Sequence, residues 1–325
     1  MTKEIVMDPH QMPAGAVVVG YDGSPTAEAA LEWAAREASA WGRPLHLLHT
    51  MRYPDGFAMS LDLDLNPDRD EIAIAGIEQA QRLAPGLAVT SETKPGGAAS
   101  WLVELSERAD LVVVGGHGHH AARAVLVGAT APQVTAHSKC PVVVVQADSE
   151  LTPPLPPERP VFSEQGGGLP DSSTLSGRVV VGVDGSESCT GAVEFAYARA
   201  SRLGLGLLAV GCWWWQESGP YMAGTEDFGW DSSIRDRELR LVSEHLAGWS
   251  EQYPDVDVHT ILVHGNPVEV LVEEADRAEL LVLGTRGRGG FAGLMLGSVS
   301  LRVLSAARRP VAIVPSTASS RKRAH

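Results

Sequence analysis

At 325 residues the chain is long enough for two ordinary domains, and its 44% of hydrophobic residues can fill two cores. A formal net charge of -14 excludes nucleic acid as a general partner, because two polyanions repel each other. The sequence has no apolar run of the roughly 18 residues that a membrane helix needs, and its polar first residues form no signal-peptide core. We therefore predict a cytoplasmic protein that makes no membrane contact.

The cysteines offer no metal or redox motif. Cys140, Cys189 and Cys212 have the spacing of neither a zinc site nor a Cys-x-x-Cys pair. We expect small core residues in a reducing compartment, with a redox role as the less favoured alternative.

The sequence contains the same domain twice. The stretch 17–24, VVVGYDGS, reappears at 179–186 as VVVGVDGS, and the stretch 111–115, LVVVG, reappears at 280–284 as LLVLG. A segment rich in proline, glycine and serine separates the copies, and such a composition is typical of an extended linker. The predicted organisation is domain 1 at 1–147, a linker at 148–177, domain 2 at 178–316 and a disordered basic tail at 317–325.

Strands alternate with helices along each copy, and this alternation favours a parallel, doubly wound sheet. Ser24 before Pro25 predicts an N-cap followed by proline at the first helical position. The last strands, 142–145 and 311–314, are almost wholly apolar, and an edge strand of that kind invites pairing with another edge. In the first copy the predicted elements are strand 16–21, helix 25–41, strand 44–50, helix 68–84, strand 87–92, helix 98–108, strand 111–115, helix 129–138 and strand 141–146.

A glycine-rich run in the second copy lies between a predicted strand at 280–283 and a predicted helix at 299–307. Glycines let the backbone approach a ligand closely, and a helix N-terminus adds partial positive charge. Arg286 and Arg288 supply full charges and Ser298 a hydroxyl, so the run is interpreted as a phosphate site. The alternative is a surface loop with two solvated arginines, because a glycine-rich run is a weak motif without its flanking elements. The predicted binding residues are Gly284, Thr285, Arg286, Gly287, Arg288, Gly289, Gly290, Gly297, Ser298 and Val299.

The spacing of this run points to a family. Gly284 and Gly287 are followed, after nine further residues, by Gly297 and Ser298, and this pattern resembles the ATP-binding signature of the universal stress protein family. The resemblance implies an α/β fold of two tandem Rossmann-like (adenine nucleotide alpha hydrolase-like) domains, each a five-stranded parallel sheet with helices on both faces. It implies ATP or ADP, with or without Mg²⁺, in a cleft over the strand ends. It also implies that the copies pair through their last strands, and it leaves a homodimer and other protein partners open.

Two aspartates end the first strands of the two copies. Asp184 and, in the first copy, Asp22 would face the crevice where ligands collect in open α/β sheets. A carboxylate there can accept hydrogen bonds from a nucleoside, although the same residue could form an Asx turn or helix cap instead. Gly182 and Gly20 leave room for close backbone approach. By resemblance to the family, the backbones that meet the adenine belong to Thr50 in the first copy and Cys212 in the second.

The loop of the first copy keeps the glycine spacing but differs in charge. Histidines at 117 and 119 replace the two arginines, and Ala129 stands where the second copy has Ser298. Neutral imidazole attracts phosphate less than guanidinium does, so we predict weaker or more pH-dependent nucleotide binding in the first copy. Metal ligation by histidines 117, 119 and 120 is the disfavoured alternative, because no cysteine or carboxylate accompanies them. The predicted site of the first copy contains Gly20, Asp22, Thr50, Gly115, Gly116, His117, Gly118, Gly128 and Ala129.

The sequence contains no Ser-His-Asp elbow, His-Glu-x-x-His motif or kinase signature. We therefore predict no catalytic residues, and a nucleotide-dependent regulator of stress response or growth control. A slow ATPase is the enzyme alternative, because Arg286 and Arg288 could clamp phosphates. An interaction scaffold with a degenerate first site is the third hypothesis.

Overall fold

The computed structural model describes residues 11–51, 67–116, 128–146, 161–163, 176–213, 232–287 and 295–316. The chain divides into two units. Unit 1 comprises Met1–Ser149 and Pro310–Ala318, and unit 2 comprises Glu150–Arg309 and Ser319–His325.

The described residues of the first copy form alternating strands and helices: β1 (Val17–Gly20), α1 (Pro25–Trp41), β2 (Leu45–Met51), α2 (Glu71–Leu83), β3 (Val89–Pro95), α3 (Ala98–Leu105), β4 (Leu111–Gly115), α4 (Thr130–His137) and β5 (Val142–Val145). The strands are parallel in the order β3-β2-β1-β4-β5. The chain moves outward from β1 to β3 and then returns to β4 on the other side of β1. The carboxyl ends of β1 and β4 therefore border the switch point at which such sheets bind ligands.

Unit 2 repeats this arrangement with the elements β6 (Val161–Ser163), β7 (Val179–Gly182), α5 (Thr190–Leu203), β8 (Leu207–Trp213), α6 (Ser232–Gln252), β9 (Val258–His264), α7 (Pro267–Arg277), β10 (Leu280–Gly284) and α8 (Ser298–Ala306). Parallel pairing gives the order β10-β7-β8-β9. The switch point of unit 2 lies between β7 and β10. The predicted parallel, doubly wound α/β fold is confirmed.

Branched apolar residues fill the strands of both units. The side chains of β1 and β7 are buried up to the last residue, as are those of β4 and β10. Continuous burial of this kind is typical of parallel strands that helices cover. None of the described helices combines the length and the apolar character needed to cross a bilayer.

Local hydrogen bonds explain where the helices begin. Ser24 accepts a hydrogen bond from the N–H of Ala27 at 3.3 Å, and Pro25 takes the first helical position, so the predicted N-cap is confirmed. Helix α7 begins in the same way, because Asn266 accepts from the N–H of Val268 at 3.0 Å.

Several predicted boundaries were wrong. The helix predicted at 68–84 begins only at Glu71, because Asp70 is its N-cap. The helix predicted at 98–108 ends at Leu105. The strand predicted at 87–92 is β3, which continues to Pro95 because it pairs with β2 to the end of that strand.

Two short strands pair antiparallel with edge strands of the parallel sheets. Within the predicted linker, β6 pairs antiparallel with β9, a pairing that the composition of the linker did not predict. At the end of the second copy, β11 (Val311–Val314) pairs antiparallel with β5 in unit 1, through Val311↔Val144 and Ile313↔Val142. The predicted pairing of the two last strands is therefore observed. Apart from β6 and residues 176–177, the predicted linker lies outside the described residues, as does the predicted tail.

Candidate functional site

The candidate site of unit 2 lies where β7, β8 and β10 end. Gly182 is the last residue of β7 and pairs with Val210 of β8. Asp184 and Cys212 each follow two residues after this pair, so both belong to the carboxyl edge of the sheet. Gly182 has no room for a side chain, because a Cβ there would lie 2.6 Å from the Leu283 side chain. The space beside this glycine is filled by the side chains of Leu283 in β10 and Leu271 in α7.

Asp184 is half-buried and held by hydrogen bonds. Its Oδ1 accepts the N–H of Ser186 at 3.0 Å and the hydroxyl of Ser186 at 2.6 Å. This is the Asx turn that sequence reasoning weighed as an alternative, and it orients the carboxylate rather than removing it from the cleft. The other oxygen, Oδ2, faces Gly287, where an added Cβ would lie only 2.5 Å away. The first-strand aspartate therefore lies beside the start of the glycine-rich run.

Gly284, at the end of β10, leaves space for the backbone of the 3-10 turn that precedes α5. A Cβ on Gly284 would lie 2.9 Å from the carbonyl oxygen of Ser188. In unit 1 a Cβ on Gly115 would lie 2.9 Å from the carbonyl oxygen of Thr26, which occupies the aligned position. These two glycines thus let the fourth strand of each copy reach the start of the first helix.

A backbone hydrogen bond closes the glycine-rich loop at its base. The N–H of Gly297 donates to the carbonyl of Thr285 at 2.6 Å, and Ser300 donates its hydroxyl to the carbonyl of Gly284 at 2.8 Å. This closure sets the N-terminus of α8 beside the end of β10. Gly297 is the N-cap and has no side chain to offer, while Ser298 is exposed at the first helical position. The helix start can therefore accept an anion.

The remaining predicted residues of the loop divide into two groups. Arg286 is exposed at the edge of the site, and Val299 is half-buried in the first turn of α8. Arg288, Gly289 and Gly290 lie outside the described residues.

Cys212 is partly exposed and pairs with Val263 across β8 and β9. Next to it, Trp213 is buried, with its ring 4.5 Å from the ring of His264. Its indole nitrogen has no hydrogen-bond partner among the described residues. Cys140 and Cys189 are buried, as predicted for core residues. Burial, followed by the nearby Asp184 carboxylate, raises the pKa of the Cys189 thiol, which keeps it protonated and unreactive.

Unit 1 reproduces the backbone of this site. Asp22 accepts the N–H of Ser24 at 3.0 Å, and the N–H of Gly128 donates to the carbonyl of Gly116 at 2.7 Å, which is the same loop closure as in unit 2. Ala129 is exposed and is the N-cap of α4 without a side-chain hydrogen bond. Gly20 packs against Leu102. His117 and Gly118 lie outside the described residues.

A buried polar cluster beside Thr50 was missed by sequence reasoning. His49 Nδ1 lies 2.5 Å from Oδ2 of Asp70, which also accepts the hydroxyl of Thr93 at 2.7 Å. Burial opposes ionisation of Asp70, but the hydrogen bonds from His49, Thr93 and the N–H of Ala73 outweigh it. The pKa of Asp70 therefore lies below its ordinary value. The cluster fixes the end of β2, and with it the half-buried Thr50.

The geometry defines what the two sites can do. Each combines a first-strand carboxylate, a glycine at the end of the fourth strand and an uncapped helix start brought in by loop closure. This set can accept hydrogen bonds from one part of a ligand and donate backbone N–H groups to an anionic part. Among the described residues, no three His, Cys, Asp or Glu side chains are grouped to hold a metal ion.

A duplicated, doubly wound α/β protein with a loop of this kind over its strand ends has known relatives. The model of the universal stress protein family matches residues 14–146 and again 176–315. A universal stress protein of Mycolicibacterium smegmatis is 35% identical over 310 residues, which cover 92% of this chain and 96% of that protein. One of Mycobacterium tuberculosis is 34% identical over 310 residues, with coverage of 91% and 95%. The chain belongs to the universal stress protein family.

A solved structure agrees at the level of the fold. The crystal structure of a universal stress protein from Archaeoglobus fulgidus is 18% identical, with a TM-score of 0.56. The match covers 92% of this chain and 96% of that chain.

Proposed function

We propose that this protein binds ATP or ADP at the carboxyl ends of its strands, most tightly in unit 2, and acts as a nucleotide-dependent regulator in stress response or growth control. The observation that carries the proposal is the proximity of the Asp184 carboxylate to Gly287 in a loop closed by Gly297 and Thr285. An acceptor suited to a nucleoside hydroxyl or amine thus lies beside a glycine-lined anion site. Membership of the family supports this assignment.

The residues of unit 2 fit the parts of an adenine nucleotide. The backbone N–H groups at the start of α8 and the exposed Ser298 hydroxyl would hold phosphate oxygens, and Arg286 would neutralise charge. Asp184 would hold the nucleoside, and the backbone of Cys212 would meet the base. Asp184 is also the carboxylate that could contact Mg²⁺ accompanying the nucleotide. A cytoplasmic location, where ATP is abundant, is part of the same proposal.

Unit 1 is expected to bind more weakly. Its loop is closed by the same hydrogen bond, but Ala129 offers no hydroxyl where unit 2 has Ser298. The position of Ser300, whose hydroxyl holds the carbonyl of Gly284, is taken by Ala131. Unit 1 therefore keeps the backbone of the site and loses part of its polar lining.

Substitution of Gly287 by alanine tests the site directly. The added Cβ would lie 2.5 Å from Oδ2 of Asp184, so the carboxylate would have to move from the position in which it is proposed to hold the nucleoside. The affinity of unit 2 for ATP should therefore fall by roughly fivefold or more. Isothermal titration of the full chain measures this, and mass spectrometry of the denatured wild type identifies any nucleotide retained through purification.

Gly248→Ala is the matched control, since a Cβ there meets nothing within 4 Å. Unchanged ATP affinity in Gly287→Ala, or absence of ATP binding by the wild type, would contradict the proposal. Phosphate release above background that Asp184→Ala abolishes would instead support a slow ATPase.

A further inference from the structure

Two serine side chains connect Asp184 to the glycine-rich loop in unit 2. The Ser186 hydroxyl donates to Oδ1 of Asp184 at 2.6 Å and lies 2.8 Å from the Ser188 hydroxyl. Ser188 in turn donates to the backbone carbonyl of Arg286 at 2.8 Å. A continuous line of oxygen atoms thus runs from the carboxylate, past the start of α5, to the loop.

Without a ligand, this line of oxygen atoms has one hydrogen too few for its contacts. It contains three contacts, but each serine hydroxyl carries a single hydrogen. An ionised carboxylate and a backbone carbonyl only accept hydrogen bonds. When Ser186 donates to Asp184 and Ser188 donates to Arg286, the contact between the two hydroxyls has no hydrogen.

A donor bound at Asp184 would complete the line. If a hydroxyl or amine of a ligand donates to Oδ1 of Asp184, the hydrogen of Ser186 is free to turn toward Ser188. Ser188 then accepts from Ser186 while it still donates to Arg286, and a hydroxyl that accepts becomes a stronger donor. Occupation of the nucleoside end would thereby strengthen the hold on the phosphate loop.

We propose that Ser186 and Ser188 form a hydroxyl relay that couples a nucleoside donor at Asp184 to the position of the glycine-rich loop, with Ser188 as the positioning residue. This inference rests on the proposed function of the same site. It assigns the relay to unit 2, where residues 187–189 form a 3-10 turn directly before α5 and the Ser186 hydroxyl donates to Asp184.

The first unit uses its aligned hydroxyl differently. Pro25 lets α1 begin directly after Ser24, so the Ser24 oxygen accepts the N–H of Ala27 as the helix cap. The hydroxyls of Ser24 and Thr26 are 3.2 Å apart, longer than the 2.8 Å of the serine pair in unit 2. The position aligned with Ser188 is Thr26, which lies within α1 and also carries a hydroxyl.

The test compares ATP with adenosine in the full chain, with Asp22→Ala in every sample so that unit 2 gives the signal. Ser188→Ala should weaken ATP binding by about threefold to tenfold, the cost of one hydrogen bond. Adenosine has no phosphate for the loop and should lose less affinity than ATP, because it loses only the acceptor for the displaced Ser186 hydrogen. Ser188→Thr should restore ATP binding, because it keeps the hydroxyl.

Ser305→Ala is the matched control, since Ser305 is equally half-buried and donates to the backbone carbonyl of Leu301 at 3.0 Å. It should leave both affinities unchanged. The double variant Ser186→Ala, Ser188→Ala should bind ATP no more weakly than Ser188→Ala, because the two serines act in series.

Equal losses for ATP and adenosine, no rescue by threonine, or additive losses in the double variant would overturn the relay. These outcomes are distinct from failure of the proposed function, in which the starting protein would bind no ATP at all. A protein that binds ATP while Ser188→Ala titrates like its parent would retain the function and lose the relay.

Discussion

The two units hold the end of their second strand by different means. In unit 1, His49 and Thr93 share hydrogen bonds with the buried Asp70. In unit 2 the residue aligned with His49 is Gly211, and a Cβ there would lie 2.9 Å from Val242 and 3.0 Å from Leu262. The end of the second strand is thus fixed by buried hydrogen bonds in unit 1 and by tight apolar packing in unit 2. The loop closure next to it is nearly identical in both units, so the copies diverge in the support around the site more than in its backbone.

Removal of the Asp70 carboxylate should have the largest effect on stability, because it disrupts the buried hydrogen bonds of unit 1. Asp70→Ala leaves His49, Thr93 and the first amides of α2 buried without their acceptor. We expect the free energy of unfolding of unit 1 to fall by about 3 kcal/mol. Urea unfolding measures the loss, and hydrogen exchange of peptides from β2 and α2 compared with β8 and α5 assigns it to a unit.

Asp255→Ala is the control for this change, because Asp255 is exposed and accepts the hydroxyl of Ser201 at 2.7 Å. Its effect should stay within about 0.5 kcal/mol. Equal loss of exchange protection in both units would show that the cluster does not support unit 1 specifically.

A smaller loss of stability should follow when a methyl group is added at Gly211, within the tight apolar packing of unit 2. Gly211→Ala places a methyl group against Val242 and Leu262 and should cost about 1–2 kcal/mol. Adding Val242→Ala should recover part of the loss caused by the methyl group, because the two residues share one space. The same unfolding and exchange measurements apply, with Gly248→Ala as control, and strict additivity of the two substitutions would contradict the packing argument.

The smallest expected effect concerns the nucleotide sites. Ala129→Ser returns to unit 1 the hydroxyl that unit 2 has at Ser298, and it should raise the ATP affinity of unit 1 by roughly threefold. Titration in a chain that carries Asp184→Ala isolates this site, and Ala75→Ser on the exposed side of α2 is the control. If Ala129→Ser binds ATP no better than its parent, the missing hydroxyl does not explain the weaker site.

The sequence was sufficient to predict the structure wherever it depends on residues that are close together in the chain. The alternation of strands and helices, the cap at Ser24 and the closeness of Asp184 to the glycine-rich loop all follow from local motifs or from the topology that they imply. The His49–Asp70 pair could not be found in this way, because its partners are 21 positions apart and meet only in the folded sheet. The signal that was available is His49, a polar residue that directly follows the apolar Leu47 and Leu48 in β2. Strand β3 is mostly polar, so Thr93 gave no such signal.

The serine relay and β6 were missed for other reasons. Hydroxyl residues are common at helix starts, so Ser186 and Ser188 gave no sign of a continuous line to Arg286. The three residues of β6 lie in a segment rich in proline and glycine, and they pair through their backbone with β9. Backbone pairing of an edge strand leaves little trace in composition.

The position of β11 has a consequence for synthesis of the chain. Because β11 pairs with β5, the sheet of unit 1 includes residues that the ribosome adds only after nearly all of unit 2. Until then the edge strand of the first sheet in the nascent polypeptide is β5, which consists of four consecutive valines, Val142–Val145. An amino-terminal fragment without β11 would keep this exposed valine edge permanently, so any dissection of the gene should graft the final strand onto the amino-terminal half.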